Sequence, residues 1–462
     1  MIYDLLIIGS GPGGYVAAIR GAQLGMKVAI IERSELGGVC LNWGCIPTKA
    51  LLKSAQVFNY LKHAEDYGIK TSGAEADLKA IVKRSRDTAD GMSKGVQFLL
   101  KKNKIDVIQG SGKILADKKV EVTGKDSTNK IVEAKSIIIA TGARSRKLPN
   151  LEIDGKSIIG YREALILSKI PDSMVIVGSG AIGSEFAYFY QSLGTKVTLV
   201  EFMPTILPIE DEEVSQQLTK SFKKMGMKVM TGSSVESVAT NGDKCKVSIK
   251  TAKGTESIEA DIVLSAVGIT ANIENLGLEG LGVKTNKGKI VTDEFYQTKV
   301  SGIYAIGDCV GGPALAHVAS AEGIICVEKI AGEAPTPLDY GNIPGCTYCQ
   351  PEVASVGLTE KAAKDQGLDI KIGKFPFSAS GKANAAGHKE GFVKLIFDGK
   401  YGELLGGHMI GYNVTEMISE IVALRKLETT GPDLIKTIHP HPTMSEAIME
   451  AAAAAYDEVI HL

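Results

Sequence analysis

The sequence lacks several features that mark particular classes of protein. Its 462 residues include a single Trp, and the formal net charge is −1. A chain without a positive surplus gives no indication of binding to nucleic acid or to an anionic membrane, so we expect neither partner. It also lacks an apolar run long enough to span a bilayer. The opening stretch MIYDLLIIGSGPGG has no basic leader of a secretory signal, and we therefore expect a cytoplasmic protein.

Cysteine is scarce, with 7 residues in the chain, and a reducing cytoplasm rarely keeps structural disulfides. Cys40 and Cys45 nevertheless stand close together in GGVCLNWGCIPTKALL. Four interpretations compete for this pair: part of a metal site, a structural staple, two buried thiols, or a disulfide that opens and closes. A zinc site needs two more ligands, and no second Cys or His pair has a convincing spacing, so we expect no metal.

The residues around Cys45 favour the redox interpretation. Pro47 is typical of the first turn of a helix, which predicts that Cys45 lies at a helix N-terminus. A helix dipole stabilises a thiolate at that position, and Lys49 adds positive charge nearby.

Glycine is abundant, with 52 residues, and the clearest glycine pattern belongs to an internal repeat. The stretch DLLIIGSGPGGYVAAIRGAQLGMKVAIIE from Asp4 aligns without a gap with SMVIVGSGAIGSEFAYFYQSLGTKVTLVE from Ser173, at an offset of 169. Each copy predicts a strand, a glycine-rich turn, a helix and a second strand that ends in Glu32 or Glu201.

This repeated unit is typical of dinucleotide binding. The first glycine permits a tight turn, the second lets the backbone approach a pyrophosphate, and the third lets helix pack on strand. The terminal glutamate accepts hydrogen bonds from ribose hydroxyls. Two copies in one chain suggest that one dinucleotide passes electrons to another. At the second copy, Glu201 would repel a 2′-phosphate and residues 202–219 contain no Lys or Arg, which favours NAD over NADP.

The chain resembles the flavoprotein disulfide reductases. The resemblance covers essentially the whole sequence and is carried by GGVCLNWGCIPTK, both glycine motifs, IIIATGAR, YAIGDCVGGPALAH, CQPEVASVG and HPHPTMSEA. It implies an α/β fold with two Rossmann-like dinucleotide-binding domains and a C-terminal α+β dimerisation domain. The implied boundaries are an FAD-binding domain at 1–147, an NAD-binding domain at 148–269, a central segment at 270–338 that completes the FAD site, and an interface domain at 339–462.

The resemblance also implies roles for individual residues. Cys40 and Cys45 form the redox-active disulfide, with Cys45 against the flavin and Cys40 exchanging with substrate. Lys49 and Glu185 form an ion pair beside the flavin and nicotinamide, and His441, oriented by Glu446, takes a proton from the substrate thiol. The predicted FAD ligands are Gly9, Gly11, Gly14, Glu32, Lys49, Gly112, Thr141, Asp308 and Ala316. The predicted NAD ligands are Gly178, Gly180, Ile182, Gly183, Glu201, Val235 and Gly268.

Glu446 has a second interpretation. The stretch TMSE from Thr443 is a capping box, in which the glutamate reaches back to a backbone amide at the helix start. A single carboxylate is expected to serve only one of the two roles well, and the context favours the catalytic one. The histidine two residues earlier, His439, is the weaker candidate for the base, because Pro-Thr follows His441.

The implied activity is oxidation of a protein-bound dihydrolipoyl group: substrate reduces the disulfide, and the electrons pass through FAD to NAD. The implied partners are a second copy of the chain and a lipoyl-bearing acyltransferase or carrier protein of a 2-oxo acid dehydrogenase or glycine cleavage complex. Two alternatives remain: an NAD(P)H-dependent reductase of another disulfide such as glutathione, and a non-catalytic flavoprotein redox sensor.

The remaining cysteines and histidines are expected to be unreactive or peripheral. Cys346 and Cys349 form a C-x-x-C pair within a predicted strand segment, and we expect ordinary thiols there. We also expect unreactive thiols at Cys245, Cys309 and Cys326, and surface positions for His63, His388 and His461. Trp43, between the two redox cysteines, is bulkier than the residue usual in the family and is expected to pack rather than to block access.

Overall fold

The computed structural model describes residues 2–242 and 244–462. It divides into two compact units, each assembled from three segments of the chain. The first unit comprises Met1–Leu51, Lys79–Arg146 and Gly268–Leu338, and the second comprises Leu52–Leu78, Lys147–Val267 and Asp339–Leu462. None of the helices in the described ranges is both long and apolar enough to cross a membrane.

The helices are, in chain order, α1 (Pro12–Gln23), α2 (Gly38–Trp43), α3 (Cys45–Lys62), α4 (Leu78–Lys102), α5 (Tyr161–Ala164), α6 (Ala181–Leu193), α7 (Glu212–Lys224), α8 (Leu278–Leu281), α9 (Ala316–Ile330), α10 (Glu360–Asp365), α11 (Gly381–Ala385), α12 (Val414–Lys426), α13 (Gly431–Ile435) and α14 (Glu446–Ala454).

The strands are β1 (Ile2–Ile8), β2 (Val28–Glu32), β3 (Asp106–Gln109), β4 (Ser111–Ile114), β5 (Lys119–Thr123), β6 (Asn129–Ile139), β7 (Ala143–Ser145), β8 (Ile158–Ile159), β9 (Ser173–Val177), β10 (Lys196–Val200), β11 (Lys228–Met230), β12 (Ser234–Asn241), β13 (Lys244–Thr251), β14 (Gly254–Ala260), β15 (Ile262–Ser265), β16 (Ile269–Ala271), β17 (Thr285–Asn286), β18 (Lys289–Ile290), β19 (Ile303–Ala305), β20 (Gly345–Thr347), β21 (Glu352–Gly357), β22 (Ile370–Pro376), β23 (Phe392–Asp398) and β24 (Leu404–Gly411).

The first unit is organised around a sheet of order β3-β2-β1-β6-β5-β4, with β19 paired to β6. Strand β1 lies parallel to both β2 and β6, and the apolar residues Leu5, Leu6 and Ile7 of this strand are fully buried. Burial on both faces explains why β1 reads as a continuous apolar run rather than an alternating one. A parallel neighbour requires a crossover, and α1 supplies it between β1 and β2.

The second unit repeats this arrangement in its 147–267 segment. Strand β9 lies parallel to β10 and β15 in a sheet of order β11-β10-β9-β15-β8, and α6 connects β9 to β10. An antiparallel sheet of order β12-β13-β14 accompanies it. The internal repeat therefore folds as two strand–turn–helix–strand units, one in each compact unit.

The C-terminal segment of the second unit has a different architecture. Its sheet, of order β20-β21-β24-β23-β22, is antiparallel throughout. Helices α12 and α14 pack against it, and a buried core that includes Phe375, Phe397 and Ile421 lies between them. The predicted fold class is confirmed: two Rossmann-like units and a C-terminal α+β domain.

Candidate active site

The first glycine-rich turn forms an open cradle at the start of α1. Gly9 has φ +104°, and a Cβ there would lie 2.3 Å from the carbonyl oxygen of Ala140. A Cβ on Gly14 would lie 1.9 Å from the carbonyl oxygen of Gly9, so helix and strand can meet only without it. A Cβ on Gly11, the N-cap residue of α1, would meet nothing within 4 Å. Open space in front of backbone N–H groups at a helix N-terminus fits a pyrophosphate.

The second turn repeats this geometry. Gly178 has φ +96°, and its Cβ would lie 2.4 Å from the carbonyl oxygen of Ala266, while a Cβ on Gly183 would lie 1.9 Å from the carbonyl oxygen of Gly178. Gly180, the N-cap residue of α6, faces open space. Both cradles therefore have the shape that a dinucleotide requires.

In each turn a serine donates hydrogen bonds to the glutamate at the end of the second strand. The sequence analysis predicted a role for the glutamate only. Glu32 Oε2 accepts hydrogen bonds from Ser10 N (2.8 Å) and Ser10 Oγ (2.6 Å). In the second copy, Glu201 Oε2 accepts from Ser179 N (2.8 Å) and Ser179 Oγ (2.7 Å). The signal for the serines was in the sequence, because Ser10 and Ser179 occupy the same position of the repeat.

Each glutamate keeps some capacity for a ligand. Glu32 Oε1 accepts from Ser34 N and Glu201 Oε1 accepts from Met203 N, each at 2.8 Å. A carboxylate offers about four lone pairs, so three hydrogen bonds leave room for one from a ribose hydroxyl. That role of the glutamates stays a prediction.

Cys40 and Cys45 form a disulfide, with Cα atoms 4.7 Å apart. Cys40 lies in α2, and Cys45 is the first residue of α3, as the helix-start prediction required. Both residues are half-buried. The bond excludes two separate thiols, and it fits both a structural staple and a disulfide that opens and closes. In the described ranges no group of three or more His, Cys, Asp and Glu side chains could hold a metal ion.

The disulfide segment packs directly against the first cradle. Gly37 N donates to the carbonyl oxygen of Ser10 at 3.1 Å. Gly38 has φ +62°, and a Cβ on it would lie 2.6 Å from Gly11 Cα. Glycine is needed here because α2 begins in contact with the backbone that would hold a pyrophosphate. The redox cysteines are thereby placed beside a dinucleotide site.

Trp43 packs against an arginine of α4. The Arg86 guanidinium lies 4.2 Å from the centre of the indole ring, which is a cation–π contact, and Arg86 also donates to the carbonyl oxygen of Asn42. The indole Nε1 donates to Glu35 Oε1 at 3.4 Å. The prediction that Trp43 packs is confirmed.

The other predicted FAD ligands also lie in the first unit. Lys49 is on α3, one turn after Cys45. Thr141 Oγ1 donates to the carbonyl oxygen of Asn272 at 2.7 Å. Burial raises the pKa of the Asp308 carboxyl, while the charge of Lys289 acts in the opposite direction. Gly112 lies in β4, and Ala316 begins α9.

Most predicted NAD ligands lie in the second unit. Ile182 follows Gly180 in the first turn of α6 and is 40% exposed. Val235 is buried in an apolar cluster, and its carbonyl oxygen accepts from Asn150 Nδ2 at 2.6 Å. Gly268, with φ +103°, belongs instead to the last segment of the first unit.

Glu185, predicted to pair with Lys49, is 3% exposed on α6, and its Oε1 accepts from Tyr348 N at 3.0 Å. This backbone contact ties α6 to the segment that follows β20. The Lys49–Glu185 ion pair stays a prediction.

His441 and Glu446 are joined by a hydrogen bond of 2.8 Å between His441 Nδ1 and Glu446 Oε1. The other carboxylate oxygen, Oε2, accepts from Thr443 N at 2.7 Å. Each oxygen of Glu446 therefore has its own partner, but α14 begins at Glu446 with Ser445 as its N-cap, so Thr443 is not the N-cap that the capping box predicted. The catalytic role of Glu446 stays a prediction. Burial acts to raise the pKa of Glu446, but these hydrogen bonds and the charges of nearby histidines outweigh it and the pKa is lowered.

His439 belongs to a second His–Glu pair. His439 Nε2 lies 2.7 Å from Glu420 Oε1, and its Nδ1 lies 2.9 Å from the carbonyl oxygen of Thr437. Both ring nitrogens of His439 thus face an acceptor, and the hydrogen bond to Glu420 raises the pKa of this imidazole. Its side chain is 5% exposed, against 77% for His441. Of the two histidines His441 is the more exposed, and its role as the base stays a prediction.

The other cysteines are thiols. Burial raises the pKa of Cys245, and it raises the pKa of Cys309 to about 12 and that of Cys326 far above its usual range. Cys346 lies in β20, and Cys349 is buried beyond its end.

Of the histidines expected at the surface, His388 is the exception. It stacks on Tyr412 with ring centroids 4.1 Å apart, and its Nε2 lies 2.8 Å from Tyr60 Oη. Burial lowers the pKa of this half-buried imidazole. The prediction failed because sequence alone did not show the aromatic neighbours that the fold brings around it.

Two family models together match most of the chain. Residues 3–323 match the pyridine nucleotide-disulphide oxidoreductase model, and residues 343–452 match the dimerisation domain of the same family. The fold, the two cradles and the adjoining disulfide agree with this class, whose cofactors are FAD and NAD.

The relatives narrow the class. The chain is 52% identical to the dihydrolipoyl dehydrogenase of Rhizobium etli, with 99% of each chain covered, and 46% identical to that of Bacillus subtilis, again with 99% of each covered. The solved structure of LpdA from Mycobacterium tuberculosis superimposes with a TM-score of 0.91 at 28% identity and covers 97% of this chain and 99% of its own. The chain belongs to the dihydrolipoyl dehydrogenase family.

Proposed function

We propose that this protein oxidises protein-bound dihydrolipoyl groups to lipoyl groups and reduces NAD to NADH, with FAD between the two half-reactions. The observation that carries the proposal is the Cys40–Cys45 disulfide packed against the Gly11 backbone of the first cradle. A dithiol substrate can pass two electrons to a disulfide by exchange. A dinucleotide bound beside that disulfide can then accept the electrons.

FAD would occupy the first cradle and NAD the second. The residues that would hold FAD are those predicted from the sequence, which share the first unit with the disulfide. When bound, FAD supplies a two-electron acceptor beside the cysteine pair, and NAD is the final acceptor. We retain the domain boundaries at 147, 269 and 338 as part of this proposal. Changes of compact unit after Arg146, Val267 and Leu338 support them, although Leu52–Leu78, inside the proposed first domain, belongs to the second unit.

The cysteine pair performs dithiol–disulfide exchange. One substrate thiolate attacks Cys40 Sγ, the Cys40–Cys45 bond breaks, and Cys45 leaves as a thiolate at the N-terminus of α3, where the helix dipole stabilises it. The second substrate thiolate then attacks the substrate sulfur of the mixed disulfide, which closes the lipoyl ring and releases Cys40. Two electrons enter the cysteine pair. Overall, dihydrolipoyl and NAD⁺ give lipoyl, NADH and one proton.

His441 accepts the proton of the attacking thiol. The Glu446 carboxylate at Nδ1 holds a proton on that nitrogen, so Nε2 remains the base. The fixed geometry orients the imidazole and stabilises it once it is charged. Lys49 and Glu185 would act as the ion pair beside the flavin and nicotinamide.

The working form would be a homodimer, in which His441 serves the disulfide of the partner subunit. The match of residues 343–452 to a dimerisation domain supports this arrangement. The further partner would be a lipoyl-bearing acyltransferase or carrier protein of a 2-oxo acid dehydrogenase or glycine cleavage complex. We place the activity in the cytoplasm, where the disulfide must cycle and where the other cysteines are thiols, as here.

The decisive experiment is steady-state turnover of dihydrolipoamide with NAD and with NADP. We expect rapid turnover with NAD only, because Glu201 occupies the position where a 2′-phosphate would need a cation. Reduction of glutathione disulfide with NADPH is the matched assay for the rival activity. Failure of dihydrolipoamide with both cofactors would refute the proposal, and failure of every substrate would favour a redox sensor.

The shared site can be tested with a mixed dimer. His441→Gln and Cys40→Ser should each be nearly inactive with dihydrolipoamide, since general acid–base catalysis is worth roughly 10²–10⁴ in rate. In a purified heterodimer of the two variants, one site would pair both defects and the other would be intact, so about half the activity per dimer should return. A verified heterodimer that stays inactive would place Cys40 and His441 in the same chain.

A further inference from the structure

A buried lysine lies at the centre of an ion cluster that the proposed reaction does not use. Lys394, on β23, has a side chain that is 1% exposed. Its Nζ lies 3.0 Å from Asp211 Oδ1, 2.8 Å from Glu213 Oε2 and 2.6 Å from Glu360 Oε2. A buried ammonium is costly unless its charge is compensated. The three carboxylates supply that compensation for Lys394.

Of the three carboxylates, Asp211 depends most on Lys394 for charge compensation. Glu213 has a second cation, Lys374, at 2.5 Å, and Glu360 has Lys364 at 2.6 Å. Asp211, whose side chain is 3% exposed, is brought to no cation other than Lys394 within the described part of the chain. Removal of Lys394 would thus leave Asp211 as a buried, uncompensated charge.

Asp211 ends the segment that comes after Glu201 in the second cradle. We call residues 202–211 the tether. Asp211 is the N-cap of α7, where its side chain accepts from Glu213 N at 3.1 Å. Inside the tether, Leu207 N donates to the carbonyl oxygen of Ser179 at 3.2 Å, and Ser215 Oγ donates to the carbonyl oxygen of Leu207 at 3.1 Å.

The contacts run without a gap from the lysine to the cradle. Lys394 holds Asp211, the tether holds the Ser179 carbonyl, and Ser179 donates twice to Glu201. Met203 N of the tether also donates to Glu201 Oε1 at 2.8 Å. A continuous series of contacts therefore joins a charged residue on a strand of the C-terminal sheet to the turn that would receive a dinucleotide.

We propose that Lys394 is a positioning residue of the NAD site: it anchors the tether through Asp211 and so holds the second glycine-rich turn in its binding geometry. This inference rests on the proposed function, in which NAD binds at that turn. It makes a claim that a merely stabilising ion pair would not, namely that loss of the lysine weakens NAD binding and spares the chemistry at the cysteines.

The test uses the FAD-loaded dimer and two measurements. One is the dissociation constant of NADH by equilibrium binding, and the other is the rate at which dihydrolipoamide reduces the enzyme without NAD. Lys394→Met should weaken NADH binding about tenfold, within the range of couplings carried by contiguous contacts, and leave the reductive rate unchanged. Asp211→Asn keeps the cap acceptor but removes the charge, and it should give the same result if Lys394→Met does not fold.

Two further variants make the outcome specific. Lys374→Met removes a lysine of the same cluster, 40% exposed, which pairs with Glu213 rather than with Asp211, and NADH binding should not change. Glu201→Gln alters the proposed NAD site itself and should weaken NADH binding. If Glu201→Gln weakens binding and folded Lys394→Met and Asp211→Asn do not, the positioning role is wrong and the NAD site stands. If Glu201→Gln also has no effect, NAD binds elsewhere.

Discussion

The two glycine-rich turns are nearly alike in themselves, but the chain segments that come after them differ greatly. In both, the segment after the glutamate folds back and donates a backbone N–H to the serine carbonyl of the turn: Gly37 to Ser10 and Leu207 to Ser179. In the first copy this returning segment leads within three residues to Cys40 and the disulfide. In the second it leads to Asp211 and a buried lysine.

The helices that begin at the two turns also diverge. Helix α1 approaches α9 closely, since a Cβ on Gly323 would lie 2.8 Å from the carbonyl oxygen of Gly13. The residue of α6 at the position of Gly13 is Ile182, and the body of that helix buries Phe186, Phe189 and Tyr190 instead. The geometry of a dinucleotide-binding turn therefore depends on residues within the turn. The chemistry at that turn depends on the other chain segments that pack against it.

The largest expected effect is loss of dihydrolipoamide oxidation when a redox cysteine after the first turn is replaced. Cys40→Ser and Cys45→Ser should each abolish dihydrolipoamide oxidation, because neither variant can form the disulfide, while electron transfer from NADH to artificial dyes persists through the second cradle. Cys40→Ser should leave a thiolate facing oxidised FAD and give a long-wavelength charge-transfer absorption band without reductant. Cys45→Ser should give none. The opposite pattern of bands would mean that the two cysteine roles are exchanged.

The next effect tests whether the cradles hold different cofactors. A Cβ at Gly11 or Gly180 meets nothing within 4 Å, so Gly11→Val and Gly180→Val should fold and obstruct only the ligand. Gly11→Val should be purified without flavin absorbance. Gly180→Val should keep its flavin, and its KM for NAD should rise roughly tenfold or more.

The control for these variants is a glycine whose Cβ has no space. Gly14→Ala and Gly183→Ala would place a methyl group 1.9 Å from a carbonyl oxygen, and both should fail to fold well. Loss of flavin from Gly180→Val instead of Gly11→Val would reverse the assignment of the cradles.

A smaller effect concerns the glutamates. Glu201→Gln should narrow the preference for NAD over NADP about tenfold, chiefly by weakening NAD use, since a ribose hydroxyl loses a charged acceptor. Glu32→Gln is the matched change in the first copy. It should leave the NADP-to-NAD ratio of kcat/KM unaltered and loosen flavin retention. Equal kcat/KM for NAD and NADP in the unaltered protein would contradict the proposal that Glu201 accepts a hydrogen bond from a ribose hydroxyl of NAD.

The smallest effect concerns pH and the tether. The Glu210 carboxyl is buried, its Oε2 has no hydrogen-bond partner among the described residues, and burial raises its pKa to about 7. Between its ordinary pKa and pH 7 the folded state binds the extra proton, so stability falls as pH rises through that window, by at most about 3 kcal/mol, and levels off above it. The Glu210→Gln side chain has no carboxyl group to titrate, so this variant should not lose stability over that pH window.

Thermal melting checks the sign. The Tm of Glu210→Gln relative to the unaltered protein should increase by a few degrees from pH 5 to pH 7 and stay constant above. A Tm difference that shrinks as pH rises would contradict the burial of a protonated Glu210.

Much of the site was predictable because its signals are local. The spacing of Gly9, Gly11 and Gly14, repeated at an offset of 169, specifies a turn whose geometry depends on which residues lack a Cβ. Pro47 predicted the helix start at Cys45 for the same reason, since proline constrains its own backbone. The fold class followed from strand and helix patterns of short range together with the resemblance.

The long-range contacts were decided only by the tertiary structure. Nothing near Lys394 in the sequence indicates Asp211, 183 positions away, and nothing near His388 indicates Tyr60, 328 positions away. The division of labour within Glu446, one oxygen to His441 and one to Thr443, likewise depended on three-dimensional placement. A sequence pattern records what each backbone segment can adopt. Which charge compensates which, and which ring stacks on which, is settled only when folding brings distant groups together and buries them.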